Sequence, residues 1–153
     1  MKAIAQMLGL LLAACAVCVA EESLKPVSFV LGPTHFNTGD AIIISQVVAT
    51  SPDFKTGDTI TVRGTYRLQS RKEATLALFL THPRQTEDIV TPAQTMKVRT
   101  VEGTFTLTCE LKTEGATHVT LYGANGRPFG GVYFGTEKQM REVAKWLFVD
   151  YEK

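Results

Sequence analysis

The sequence predicts a mostly β domain of about eight short strands, closed by one C-terminal amphipathic α-helix. Three observations carry this. Apolar and polar residues alternate with a period of two along most of the chain, which places successive side chains on opposite faces of a strand. Gly, Pro, Asn and Asp interrupt the alternation at short intervals and supply the turns of a sandwich or barrel. After Gly135 the apolar spacing changes to that of a helix.

Residues 1–20 stand apart from the fold and read as a secretory signal peptide. Lys2 gives the positive tip, an apolar run follows, and small residues from Ala13 to Ala20 precede the polar Glu21-Glu22. Two cleavage sites fit. Cys18-Val19-Ala20 suits a signal peptidase and releases a soluble chain starting at Glu21. Leu12-Ala13-Ala14-Cys15 resembles the lipobox of bacterial lipoproteins, in which Cys15 becomes the lipidated N-terminus. Both readings export the protein, to the periplasm, the medium or an envelope anchor; only lipidation at Cys15 ties it to a membrane. The apolar run is short for a bilayer span, which needs about 20 residues.

Residues 21–26 form a polar arm ended by Pro26, and the domain follows over 27–153. Strands are expected at 27–31, stopped by Gly32-Pro33, and at 41–48, which is rich in Ile and Val. The next, 59–69, turns Ile60, Val62, Tyr66 and Leu68 one way and Thr61, Arg63, Thr65, Arg67 and Gln69 the other. Further strands fall at 74–81 with Leu76, Leu78 and Leu80 inward, at 95–101, at 103–111, at 117–122 and at 131–134. The alternation of 103–111 is strict and points Phe105, Leu107, Cys109 and Leu111 into the core, where a free cysteine packs as a small hydrophobe. The helix is expected at about 136–151. Thr136-Glu137-Lys138-Gln139 has the form of a capping box, and Met140, Val143, Ala144, Leu147, Phe148 and Tyr151 share one face. Trp146 flanks that face.

Phe36-Asn37-Thr38-Gly39-Asp40-Ala41-Ile42 and Phe54-Lys55-Thr56-Gly57-Asp58-Thr59-Ile60 echo each other. The mechanical reading is a turn in which Gly takes a positive φ and Asp accepts backbone hydrogen bonds ahead of a strand. A second reading puts Asp40 and Asp58 on one rim as calcium ligands, although Ca²⁺ needs six to eight oxygens and only Asp53 lies close in sequence.

With 16 Lys and Arg against 15 Asp and Glu the chain is nearly neutral, which argues against nucleic acid as the main partner. His35, His82 and His118 are scattered without the close pairing of a zinc site, so neither metal nor cofactor is expected. Arg63, Arg67, Arg71 and Lys72 form a basic stripe that reads as a solvated face.

The candidate binding surface is the glycine-rich segment 122–131, with Tyr122, Asn125, Arg127, Phe129 and Tyr133 as its contact residues, next to the long connection 82–94. Either Arg127 and Phe129 form an exposed tip, or the segment is a hairpin whose Phe129 tucks back onto the sheet. Two function classes remain. One is a non-enzymatic binding or cell-envelope structural protein meeting a protein or a glycan. The other is a small exported enzyme or inhibitor, which would gather His82, His118 and a carboxylate in one pocket.

The strands 59–69 and 74–80, joined by Ser70-Arg71-Lys72-Glu73 and preceded by Gly57-Asp58, resemble part of the immunoglobulin-like β-sandwich modules of exported bacterial proteins. The resemblance covers about 27–134 at the level of strand pattern and implies an antiparallel two-sheet sandwich. The Cys…Trp…Cys framework of antibody domains is missing, and no site residue carries over.

Overall fold

The structure, a computed structural model, describes residues 23–81, 90–99 and 101–149, with the side chains of 146–149 left aside. The leader with Cys15 and Cys18, His82, most of the 82–94 connection and Tyr151 lie outside the described residues, as do the side chains of Trp146, Leu147 and Phe148.

Nine antiparallel strands form two facing sheets, followed by one helix. The strands are β1 (Lys25–Pro26), β2 (Val30–His35), β3 (Ala41–Ala49), β4 (Thr59–Arg67), β5 (Ala74–Thr81), β6 (Thr95–Val98), β7 (Glu102–Glu110), β8 (Ala116–Tyr122) and β9 (Pro128–Gly135). The helix α1 spans Glu137–Val149. One sheet runs β1-β3-β4-β7 and the other β2-β9-β8-β5-β6, so the chain crosses between them after β1, β2, β4, β6 and β7. The sandwich expected from the alternation is therefore present.

The core lies between the inner faces. Ile60, Val62, Leu107 and Leu111 from the four-stranded sheet meet Leu76, Leu78, Val119, Leu121 and Phe134 from the other, all essentially inaccessible to solvent. Cys109 belongs to this layer, opposite Ile60. In β3 the inward set changes phase: Ile42 and Ile44 face the core, then Val47 and Ala49. A register shift between Ile44 and Gln46 inserts the residue that makes this possible. Gly64 sits opposite the shift, where a Cβ would strike the Ile43 carbonyl and the Phe105 ring; the ring fills the space that the glycine leaves.

Three expectations are corrected. The polar arm is not wholly outside the fold, because Lys25 and Pro26 pair with Ala49 and Val48 of β3. Gly32-Pro33 does not end the second strand. β2 continues to His35 because it is an edge strand and a register shift between Leu31 and Thr34 absorbs the proline. β9 begins at Pro128, so half of the presumed glycine-rich loop is strand.

The echoed turns follow the mechanical reading. Gly39 and Gly57 both take a positive φ, +88° and +93°. Asp40 accepts from the Gln69 and Ser70 amides at 2.8 and 2.9 Å and from the Ser70 hydroxyl. Asp58 accepts from the Lys55 amide at 2.9 Å, Ser51 Oγ at 2.6 Å and Thr50 Oγ1 at 3.2 Å. The carboxylate oxygens are occupied by protein donors. Burial acts to raise both pKa values, and the hydrogen bonds and the nearby Arg71 and Lys55 outweigh it, leaving both acids below their ordinary value. A shared rim is ruled out: the turns open β3 and β4, which run antiparallel, so the two Asp sit at opposite ends of the sandwich.

At the C-terminus the capping box forms as expected. The Gln139 amide donates to Thr136 Oγ1 at 3.2 Å, and the Thr136 amide to Gln139 Oε1 at 2.9 Å. Met140 and Val143 pack on Ala116 of β8, with Val30 and Tyr133 alongside. The helix thus covers part of the outer face of the five-stranded sheet. Gly32 lets it come close, since a Cβ there would meet the Met140 sulfur.

Candidate binding cleft

The uncovered part of that outer face carries a cleft of about 710 Å³. It is built by strand register. Phe79 of β5 pairs with His118 of β8, which pairs with Tyr133 of β9, so three rings lie side by side across three strands. The His118 ring is 5.0 Å from Tyr133 and 6.3 Å from Phe79, tilted by about 45° to each. The next row is Ala77, Thr120 and Gly131, all small. The row beyond pairs Thr75 with Tyr122 and Tyr122 with Pro128. Thr120 and Gly131 therefore form a low floor beside the Phe79–His118–Tyr133 row, with Tyr122 and Pro128 beyond them. Tyr122 meets Phe79 edge to face at 5.6 Å, which closes the floor on the β5 side, where Ala77 is buried. Pro33, Thr34 and His35 of β2 close one side.

Gly131 is what keeps the floor low. A Cβ at that position would press on Thr120 Oγ1.

The polar groups in the cleft are hydroxyls and imidazole. His118 is 8% exposed, and its Nδ1 shares a 2.7 Å hydrogen bond with Thr120 Oγ1. Thr81 Oγ1 and Tyr133 Oη share another at 3.1 Å. Burial, then the neighbouring Tyr133, pushes the Tyr122 phenol above its ordinary value of 10.0, so it keeps its proton at neutral pH. Among the described residues the lining holds no Lys, Arg, Asp or Glu. Its chemistry is that of apolar contact and neutral hydrogen bonding.

The five residues expected at the binding surface divide into three groups. Tyr122 and Tyr133 line the cleft. Asn125 and Arg127 sit at the exposed β8–β9 turn, where Asn125 Oδ1 accepts from the Arg127 amide at 3.1 Å and Gly126 has a φ of +73°. Phe129 touches the cleft at its edge but is only 9% exposed and packs with the core, under the Arg71 guanidinium at 4.2 Å. It tucks back, as the hairpin reading has it. Arg71 thereby leaves the basic stripe. Arg63 and Arg67 stay exposed on β4, holding Gln46 Oε1 and the Gly39 carbonyl, each at 2.8 Å.

Phe79 is the main lining residue that the sequence does not single out, whereas His118 enters there only as a member of an enzymatic cluster. The alternation that turns Leu76, Leu78 and Leu80 inward turns Phe79 outward, onto a face expected to be polar. That misplaced ring was the available signal. Compared with protein-family models, with curated proteins and with solved structures, the chain gives no match. The cleft is read from its own geometry.

Proposed function

We propose that this chain is an exported, non-enzymatic binding domain whose ligand seats in the outer cleft of the five-stranded sheet. The observation that carries this reading is a concave, ring-lined site on a strand face where alternation calls for solvated residues. Its volume falls in the range of about 300–1,000 Å³ typical of small-ligand sites. The groups in it hold rather than transfer: His118 is engaged by Thr120, and Thr81 by Tyr133.

Strand order supports an immunoglobulin-like scaffold. β3-β4-β7 take the places of strands A, B and E, and β5-β8-β9 those of C, F and G. The leader supports export, and Leu12-Ala13-Ala14-Cys15 supports a lipid-anchored form in the cell envelope.

A fragment screen by two-dimensional NMR on the processed protein tests the site. Amide shifts should cluster on β5, β8 and β9 around His118; fragments that gather elsewhere, or nowhere, refute the assignment. Intact mass of membrane and soluble fractions, with a Cys15→Ser control, tests the anchor. A lipidated N-terminus at Cys15 that is lost in the mutant supports it, and a soluble chain beginning at Glu21 refutes it.

A further inference from the structure

We infer that the cleft binds a neutral carbohydrate, with one sugar ring lying over Thr120 and Gly131 against the rings of Phe79, Tyr122 and Tyr133. The inference rests on the reading of this cleft as the binding site.

Three features of the lining select this chemistry. The first is shape. A low floor of Thr120 and Gly131 beside aromatic rings is a seat for a flat, rigid ring, and Gly131 carries no side chain to raise it. A sugar ring has an apolar C–H face that gains dispersion and buried area against an aromatic ring. The second is charge. With no Lys, Arg, Asp or Glu among the described lining residues, nothing there compensates an ion moved out of water, so phosphorylated, sulfated or carboxylated ligands are disfavoured.

The third feature is the kind of hydrogen bond on offer. Thr81, Thr120, Tyr122 and Tyr133 present hydroxyls, and each hydroxyl both donates and accepts. Sugar hydroxyls do the same, so the two sets satisfy each other whichever way the protons turn. A proline-rich peptide, the other ligand that aromatic grooves favour, offers carbonyls that only accept. It would leave half of this capacity unused.

The test is a titration of the processed protein, as isolated from expressing cells, with neutral oligosaccharides: gluco-, manno-, xylo- and N-acetylglucosamine hexamers of β linkage, and a maltohexaose. Binding is followed by amide shifts and by calorimetry. At least one of these should shift residues of β5, β8 and β9 and leave β3, β4 and β7 unmoved. Phe79→Leu keeps the apolar bulk without the ring and should weaken that binding on the order of ten-fold. Should Phe79→Leu fail to fold, Tyr122→Phe removes only a hydroxyl and should weaken it measurably. Octaproline serves as the comparison. Shifts by octaproline with none by the sugars overturn the carbohydrate inference while leaving the site itself standing. Fragments clustering at the cleft with no sugar response do the same. Silence from fragments and sugars alike overturns both. Sugar binding that is unchanged in Phe79→Leu and Tyr122→Phe places the sugar elsewhere and also overturns the inference.

Discussion

The two sheets share one core but present opposite outer faces. On the four-stranded sheet the outward residues Thr65, Thr104, Thr106, Arg63 and Arg67 stand in solvent, and Thr61 alone among the outward set of β4 is buried, against Thr108. On the five-stranded sheet the matching positions hold His118, Thr120, Phe79, Tyr122 and Tyr133, and they are buried or half-buried. Both faces obey the same two-residue period. What differs is whether anything other than water covers the outer residues, and that depends on α1 and on the aromatic row rather than on the pleat.

The substitution expected to break this contrast most is Val143→Asp. Val143 is fully buried beside Met140, where α1 meets Ala116 of β8. A carboxylate there has no partner, so the helix should detach at a cost of about 3–5 kcal/mol. Chemical denaturation would measure the loss. Hydrogen exchange should show α1 and the outer side of β2 and β9 opening while β3 and β4 keep their protection.

Acid should act on the other sheet. Asp40 and Asp58 open β3 and β4, and their folded pKa values lie below the 3.8 of the free side chain. The stability they confer is fully present above about pH 4 and is lost as pH falls through the folded values. Asp58→Asn should cost about 1–3 kcal/mol at neutral pH and flatten the acid limb of the stability curve. An unchanged acid limb in Asp58→Asn would show that this carboxylate does not drive the effect.

A matched pair of threonines gives the smallest and sharpest comparison. Thr120→Ala removes the hydroxyl that His118 Nδ1 engages, at a cost of about 1–2 kcal/mol. Thr106→Ala makes the same change on the open face of β7 and should stay within about 0.5 kcal/mol of the parent. Equal effects in thermal unfolding would erase the distinction between the faces.

Most of the scaffold is legible in the sequence because burial imposes a period. Phe105, Leu107, Cys109 and Leu111 announce an inward face, and Thr136 with Gln139 announces the cap of α1. What alternation cannot express is register. The row Phe79–His118–Tyr133 joins residues far apart in the chain, and only strand order brings them together. Irregular positions were also hidden. The phase change in β3 and the passage of β2 through Gly32-Pro33 are local departures from the period that tertiary pairing stabilises. The candidate loop divides for the same reason: Tyr122 and Tyr133 face outward by alternation, whereas Phe129 lies beside the register shift that separates Leu121 from Tyr122 and turns into the core.

Cys109 has a practical consequence. It is the one cysteine among the described residues, sealed against Ile60 beneath the four-stranded sheet and 4% exposed. A thiol reagent reaches it only when that sheet opens. In the form cleaved after Ala20 the rate of labelling is therefore a clock for the opening of the core, built into the chain without any engineered probe.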